Sequence, residues 1–362
     1  MESKIYSAKK IFTGDGWLTD HSIEVADGKI MNLFPTDRLP DAPAQIHEIL
    51  APALIDIQIY GAYGKLVSVY PETDSLQKLR DYCLKGGAAW FQPTAATNSM
   101  DVFFKCIDAV RKYWKEGGKG CIGLHIEGPW IHPAKKGAHI ESFIHSPTIE
   151  EARELLEYGK DVITMITLAP EVCSREVIGL IQSYGVVISA GHSNATYEEA
   201  TAAFDAGITA ATHLYNAMSP LQHRAPGMVG AIFDHTNVKS SIVPDGYHVD
   251  FSAVRIAKKI MGERLFVITD AVTDTDRGPY QHYAAGDKYE AAGILSGSAL
   301  TMASSLRNLV NHVGIELGEA LKMVSLYPAQ VMKRDSFLGK IAIGYNAEIV
   351  AMNGSLDSIG VL

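Results

Sequence analysis

Short apolar runs alternate with amphipathic stretches along most of this chain, and the pattern changes character near residue 50. Before that point the text reads as short strands, KIYSAKKIFTG and then HSIEVADGKIMNLF, punctuated by Gly and Asp as hairpins require. From about Ala51 onward, apolar runs of strand length are separated by helix-period segments, the signature of βαβ units feeding a parallel sheet. Eight such runs occur, near 53–59, 87–94, 120–127, 162–168, 186–191, 208–213, 239–244 and 264–269. Eight parallel strands with intervening helices over roughly 280 residues fit a closed barrel better than a doubly wound open sheet. No G-x-G-x-x-G loop follows the first strand, which also counts against the open sheet. The expected fold class is therefore α/β, a (β/α)8 TIM-like barrel.

Helix ends are punctuated in two places. Thr148 and Glu151 are spaced as a capping box before EARELLEYG, which should stop at Gly159. Thr196 and Glu199 have the same spacing before EEATAAFDAG, which should stop at Gly207. After about Arg334 strand-like pieces return, FLGKIAIG and AEIVAMNG, and are expected to pair with the N-terminal strands. The predicted organisation is a small β-sandwich domain made of residues 1–50 plus 335–362, and a catalytic barrel over 51–334. Little room remains for a final strand before Leu362.

Composition narrows the function. The chain has 362 residues, 47% hydrophobic and 20% charged, the balance of a soluble globular protein with a large core. A net charge of -9 argues against a nucleic-acid partner, so an anionic substrate would need local positive contacts. Cys83, Cys106, Cys121 and Cys173 are scattered without a C-x-x-C pair, as reduced thiols would be. MESKIYSAKK has no apolar core of a signal peptide, and no apolar run approaches the roughly 20 residues of a membrane span. A cytoplasmic protein with no membrane partner is expected.

The chemistry lies at the ends of the apolar runs. The third run ends at Glu127, the fifth at His192, the sixth at His213, the seventh at Asp245 and His248, and the eighth at Asp270. In a barrel these ends converge on one face, where active sites lie. A lone histidine at a strand end is most often structural, but two on adjacent strands with a carboxylate two strands away read as a metal site. Neutral imidazoles and a carboxylate suit a divalent ion, and three of them leave a position for water. His125, two residues before Glu127, points to the same face. It is either a fourth ligand or, as we prefer, a neighbour supporting the site. The first strand reads Asp56-Ile57-Gln58-Ile59-Tyr60 where many barrel metallohydrolases carry H-x-H, so one metal is expected rather than two. Asp270 ends an apolar strand alone; it is either a helix cap or the general base that takes a proton from water and returns it to a leaving amine.

In order, HIEGPW, KKGAH, GHSNAT, THLYNAM, DGYHVD, ITDA and LSGSALTM resemble the N-acetylglucosamine-6-phosphate deacetylases of the amidohydrolase superfamily. The resemblance covers nearly the whole chain, as far as SLYPAQ near residue 330. It implies removal of acetate from the 2-acetamido group of a sugar phosphate, giving glucosamine 6-phosphate, in amino-sugar catabolism or cell-wall recycling. It implies Glu127, His192 and His213 as ligands of one divalent metal ion per subunit. Zn2+ is expected, and Fe2+, Mn2+ and Co2+ suit the same donors. Asp270 matches the acid/base, His248 the contact to the acetamido carbonyl and His139 a histidine at the substrate. Asn216, Ala217 and Arg224 match the phosphate-binding segment. Ala138 and Leu295-Ser296-Gly297-Ser298 match further substrate contacts, largely through backbone. A homodimer with its phosphate pocket near the subunit interface is also implied.

Two segments depart from the family pattern. SPLQHR lacks the glycine that often precedes the arginine, which puts the shape of the phosphate pocket in question. AVTDTDRGPYQHY after Asp270 is unlike the usual small-residue stretch. Lys135 and Lys136 read as solvated surface charges, whereas His223 stays open between a phosphate contact and an exposed loop residue. The alternatives are a deacetylase for the galactosamine epimer, a deaminase or cyclic amidase, and a non-catalytic sugar-phosphate-binding relative. The missing H-x-H disfavours the cyclic amidase, and the intact ligands and acid/base disfavour the non-catalytic relative.

Overall fold

Every residue of Leu54–Ile59 is buried, as a parallel strand covered on both faces must be. This strand, β1, opens an eight-stranded parallel sheet in the computed structural model, which describes residues 3–291 and 293–362. The others are β2 (Ala88–Ala96), β3 (Leu124–Glu127), β4 (Ile163–Leu168), β5 (Val187–Ala190), β6 (Ala210–Ala211), β7 (Lys239–Ile242) and β8 (Leu265–Val267). Neighbours in the sheet follow chain order. The β8–β1 seam closes where Asp270 N–H donates to the Gln58 carbonyl at 3.0 Å and Tyr60 N–H donates to the Ala271 carbonyl at 2.9 Å. The result is the expected (β/α)8 barrel.

The intervening helices are α1 (Thr73–Lys85), α2 (Met100–Lys115), α3 (Ile149–Gly159), α4 (Arg175–Ser183), α5 (Tyr197–Asp205), α6 (Gly227–Asp234), α7 (Phe251–Met261) and α8 (Met302–Asn308). Each lays a stripe on the barrel. In α2 the stripe is Phe103, Cys106, Ile107 and Val110, at helical spacing and fully buried. Burying side chains such as Phe103 or Ile107 is worth about 1.5–3 kcal/mol each. Thr196 and Glu199 form the expected reciprocal cap of α5. The expected box at α3 is only half made. Thr148 accepts from Glu151 N–H, but the Glu151 carboxylate turns away to His145 Nε2 at 2.7 Å.

Two strands are shorter than their apolar runs. The run at 120–127 is a continuous strand only from Leu124; Gly120 and Gly123 take φ of +81° and +124°, and before them a single bridge joins Cys121 to Phe91. The run at 208–213 pairs only at Ala210–Ala211 before the chain swings into a left-handed turn at His213. Beyond β8 a three-stranded antiparallel sheet (Tyr283–Ala284, Lys288–Ala291 and Ile294–Ser298) folds back over the barrel mouth.

The second unit is a six-stranded sheet of Lys4–Phe12, Trp17–Ala26, Lys29–Pro35, Ile46–Pro52, Ile349–Met352 and Ile359–Val361. Both ends of the chain therefore contribute, and Ile359–Val361 supplies a final strand for which little room was expected. FLGKIAIG is not a strand. Gly339 and Gly344 take φ of +82° and +85°, and the segment crosses the sheet with Ile341 N–H donating to the Thr13 carbonyl. Ile341 still joins the unit's core with Ile11, Ile23, Ile30 and Leu50. On this pairing we propose the division into residues 1–50 with 335–362, and 51–334. All four cysteines are free thiols. Among the described residues no helix is long and apolar enough to cross a membrane.

Candidate metal centre and substrate cavity

Glu127 is the last residue of β3. His192, His213 and Asp270 lie just beyond the ends of β5, β6 and β8, with φ of +49°, +35° and +57°. Left-handed backbone at non-glycine residues costs on the order of 1–3 kcal/mol each and persists only where the surroundings impose it. Here the surroundings are tight: a Cβ on Gly191 would lie 2.9 Å from both Thr167 and Thr212. The strained turns bring three side chains over the barrel mouth, where Glu127 already stands.

Glu127 Oε1 lies 3.4 Å from Nε2 of both His192 and His213, and those two nitrogens are 3.0 Å apart. Their other ring nitrogens are committed. His192 Nδ1 donates to the Lys135 carbonyl at 2.8 Å, and His213 Nδ1 to the Asn216 carbonyl at 3.1 Å. A carbonyl only accepts, so each Nδ1 carries a proton, and Nε2 of each ring is left to face Glu127, as a lone pair whenever the ring is neutral. Two lone pairs and a carboxylate facing one another repel unless a cation sits among them, and this donor set suits a divalent transition ion. His139 adds a further imidazole, with Nε2 3.4 Å from Glu127 Oε2 and Nδ1 2.6 Å from Thr97 Oγ1. Glu127, His139 and His192 form a buried group that could hold a metal ion. His139, expected at the substrate, thus stands as close to Glu127 as the expected ligands do.

The electrostatics agree. Burial alone would raise the Glu127 carboxyl, but His139, His192 and His213 outweigh it and hold it well below the usual carboxylate range. Burial, reinforced by His139, pushes His192 down to about 4. Burial opposes protonation of His213 as well, yet Glu127 and then Asp270 lift its imidazole above the ordinary value. Glu127 and Asp270 thus make the His213 side of the site favourable to positive charge.

Across the cavity, Asp270 Oδ2 is 3.9 Å from His248 Nε2. Burial raises the Asp270 carboxyl above its ordinary value, opposed by His213 and His248. Asp245 Oδ2 lies 2.6 Å from His248 Nδ1, which leaves Nε2 facing the cavity. Gln58 Nε2 donates to Glu127 Oε1 at 3.0 Å and to Asp270 Oδ1 at 2.9 Å. The Tyr60 hydroxyl donates to Glu127 Oε2. Burial first, then Asp270 and Glu127, raise the Tyr60 phenol well above its usual value, so it remains a donor.

A cavity of about 170 Å3 opens beside these groups. Of the expected substrate contacts, Ala138, His139, Asn216, Ala217, His248, Leu295, Ser296 and Gly297 line it. Gly297 has to be glycine: at φ +121°, a Cβ would lie 2.6 Å from Val272 and 3.0 Å from the Asp270 carbonyl. Two expected contacts stand elsewhere. Ser298 is turned inward, its Oγ donating to the Thr269 carbonyl at 2.5 Å, so it braces the backbone before Asp270. Arg224 is exposed with His223 on the loop before α6 and is not part of the cavity lining. It would meet only a group that projects from the mouth.

Both ring nitrogens of His125 face hydroxyl groups. Its Nε2 lies 2.7 Å from Thr167 Oγ1 and its Nδ1 3.3 Å from Thr94 Oγ1, and burial pushes it down to about 4. It is a neutral member of a hydroxyl chain, Thr167–Thr212–Ser189, inside the barrel. Sequence reasoning gave no role to Asp245, although it stood at a strand end three residues from His248. It weighed Gln58 and Tyr60 only as poor ligands. It left Tyr280 and His282, which also line the cavity, inside an unexplained segment. Thr97, the partner of His139, carried no signal at all.

The amidohydrolase family model matches residues 49–360. The N-acetylglucosamine-6-phosphate deacetylase of Haemophilus influenzae is 35% identical over 324 residues, covering 86% of this chain and 84% of that protein. The N-acetylgalactosamine-6-phosphate deacetylase of Escherichia coli O157:H7 is 31% identical, covering 97% of this chain and 96% of that protein. The crystal structure of N-acetylglucosamine-6-phosphate deacetylase from Pasteurella multocida superposes with a TM-score of 0.92 at 33% identity, covering 99% of this chain and 97% of that one.

Proposed function

The chain belongs to the amidohydrolase family, and from that premise we propose that it hydrolyses the acetamide of N-acetylglucosamine 6-phosphate, giving glucosamine 6-phosphate and acetate. The observation that carries this reading is the convergence of Glu127, His192 and His213 on one point, with Asp270 and His248 facing each other across the same cavity. In this reading Glu127, His192 and His213 hold one divalent ion, Zn2+ by preference, with His139 beside them. When bound, the ion would supply Lewis-acid polarisation of the amide carbonyl and acidify the attacking water.

The remaining steps belong to the chain's own side chains. Asp270 takes the proton of the attacking water and delivers it to the departing amine nitrogen, so that amine leaves rather than amide anion. Its burial suits that exchange, because the carboxyl is lifted toward the range in which it can both accept and return a proton. His248, held by the Asp245 carboxylate at Nδ1, turns Nε2 to the cavity, where an N–H would meet the carbonyl oxygen as negative charge develops. Asn216 and Ala217 lead from the cavity into the loop bearing Arg224. A phosphate projecting that way would meet the arginine fork, which grips phosphate through parallel charged hydrogen bonds. The same reading places the enzyme in the cytoplasm, as a homodimer, in amino-sugar catabolism or cell-wall recycling.

The epimer is the second reading, since two relatives are named for N-acetylgalactosamine 6-phosphate. Acetate release from the two 6-phosphorylated sugars, measured on protein stripped by chelator and reloaded with Zn2+, separates them. The gluco sugar should turn over faster. A preference for the galacto sugar would reassign the substrate, and no acetate from either would overturn the proposal.

A further inference from the structure

Gln58 and Tyr60 occupy alternate positions at the end of β1 and so share one face, the positions at which many barrel metallohydrolases carry H-x-H. Gln58 is buried and Tyr60 lines the cavity. Between them they reach both buried carboxylates of the site. Two carboxylates held this close in a dry environment need either a cation between them or hydrogen-bond donors aimed at them.

The donors balance the acceptors one to one. The Gln58 amide nitrogen has two N–H groups, and it lies 3.0 Å from Glu127 Oε1 and 2.9 Å from Asp270 Oδ1. The Tyr60 O–H completes the set at Glu127 Oε2. Turning the amide over would point a carbonyl oxygen at two carboxylates, so the orientation is forced by its partners. The Gln58 nitrogen also lies 2.8 Å from the Tyr60 oxygen and the Tyr60 hydroxyl 3.3 Å from Asp270 Oδ1, which ties the group together. Every carboxylate oxygen on this side then has a proton facing it. Asp270 Oδ2 alone is left, and it points toward His248.

Building on the proposal that Glu127 is a ligand and Asp270 moves the proton, we infer that Gln58 and Tyr60 stand in for a second cation. They satisfy the facing carboxylate oxygens with hydrogen bonds, close that position to metal, and aim Asp270 by anchoring one of its oxygens. Tyr60 is on this account a positioning residue, because it acts through Glu127 and Asp270.

The test pairs metal content with kinetics, using Zn2+ as the probe on the purified full chain. Wild type and Tyr60→Phe should each hold one equivalent of Zn2+ after dialysis. Tyr60→Phe should lose on the order of ten-fold or more in kcat with KM nearly unchanged, since the aim of Asp270 and not sugar binding is disturbed. The double variant Gln58→His with Tyr60→His, restoring H-x-H, should take up a second equivalent. The inference is overturned if wild type already holds two equivalents, if Tyr60→Phe keeps the wild-type kcat, or if Tyr60→Phe loses its metal. The single variant decides the matter even where the double variant does not fold. Wild type that binds no Zn2+ at all would instead remove the metal reading on which this one rests.

Discussion

Asp245 Oδ2 sits 2.6 Å from His248 Nδ1 while Asp245 Oδ1 accepts from the backbone N–H of Tyr247 at 2.8 Å and of His248 at 2.7 Å. One buried carboxylate therefore fixes both the turn that carries His248 and the ring's orientation, leaving Nε2 to face the cavity. Such partners tune an imidazole almost as strongly as its direct contacts. Asp245→Asn should lower kcat about 10- to 100-fold while metal content stays at the wild-type level. Acetate release and metal analysis on the same sample check this. A variant with unchanged kcat would detach His248 from the carbonyl step.

Arg224 is exposed, so its removal should leave the fold intact. If it meets the phosphate, Arg224→Ala raises KM for the 6-phosphorylated sugar by about 10- to 100-fold, the worth of a lost charged hydrogen-bonded pair. Turnover of the unphosphorylated sugar should not change. Equal effects on both sugars would place the phosphate elsewhere.

His282 gives the protein a pH dependence with a definite sign. Its ring is buried, Nδ1 lies 2.8 Å from Ser296 Oγ, and burial pushes it down to about 4, with Asp274 opposing weakly. The unfolded chain has an ordinary histidine near 6.5. As pH falls from 6.5 toward 4, the unfolded state gains a proton that the folded state refuses. The contribution is therefore complete above pH 6.5 and is lost on the way down to about 4. One such group steepens the fall by up to ~1.4 kcal/mol per pH unit. His125, also pushed down to about 4 by burial, acts in the same direction. Chemical denaturation at about pH 7 and about pH 5 should show the loss, and His282→Gln should flatten it by close to one proton. An unchanged slope in the variant would contradict the assignment.

How much of this was legible in the sequence follows from how each part is encoded. Parallel strands covered on both faces read as unbroken apolar runs, so Leu54–Ile59 and Ile163–Leu168 announce the barrel. A polar residue directly after such a run stands out, which is why Glu127, His192, His213 and Asp270 could be picked by position. The backbone twist that brings three of them together, at φ of +49°, +35° and +57°, leaves no mark in a chain of ordinary residue types. His139 reaches Glu127 from an irregular loop, held by Thr97 from the turn after β2, and no periodicity links the two. Gln58 and Tyr60 look like the loss of a metal site when judged residue by residue. Their role appears only when donors and acceptors are counted in space. FLGKIAIG shows the opposite failure: its composition is that of a strand, but two glycines with positive φ keep it out of the ladder.

In the proposed reaction a ligand cluster would hold the ion and Asp270 would move the proton. Asp270→Asn keeps the size of the side chain and does not touch Glu127, His192 or His213. Metal content and kcat for acetate release from N-acetylglucosamine 6-phosphate, measured on that variant, separate the two roles. Full metal occupancy is expected, with kcat lowered by about a thousand-fold or more. A variant that keeps its metal and works at a near-normal rate would contradict the proton role of Asp270.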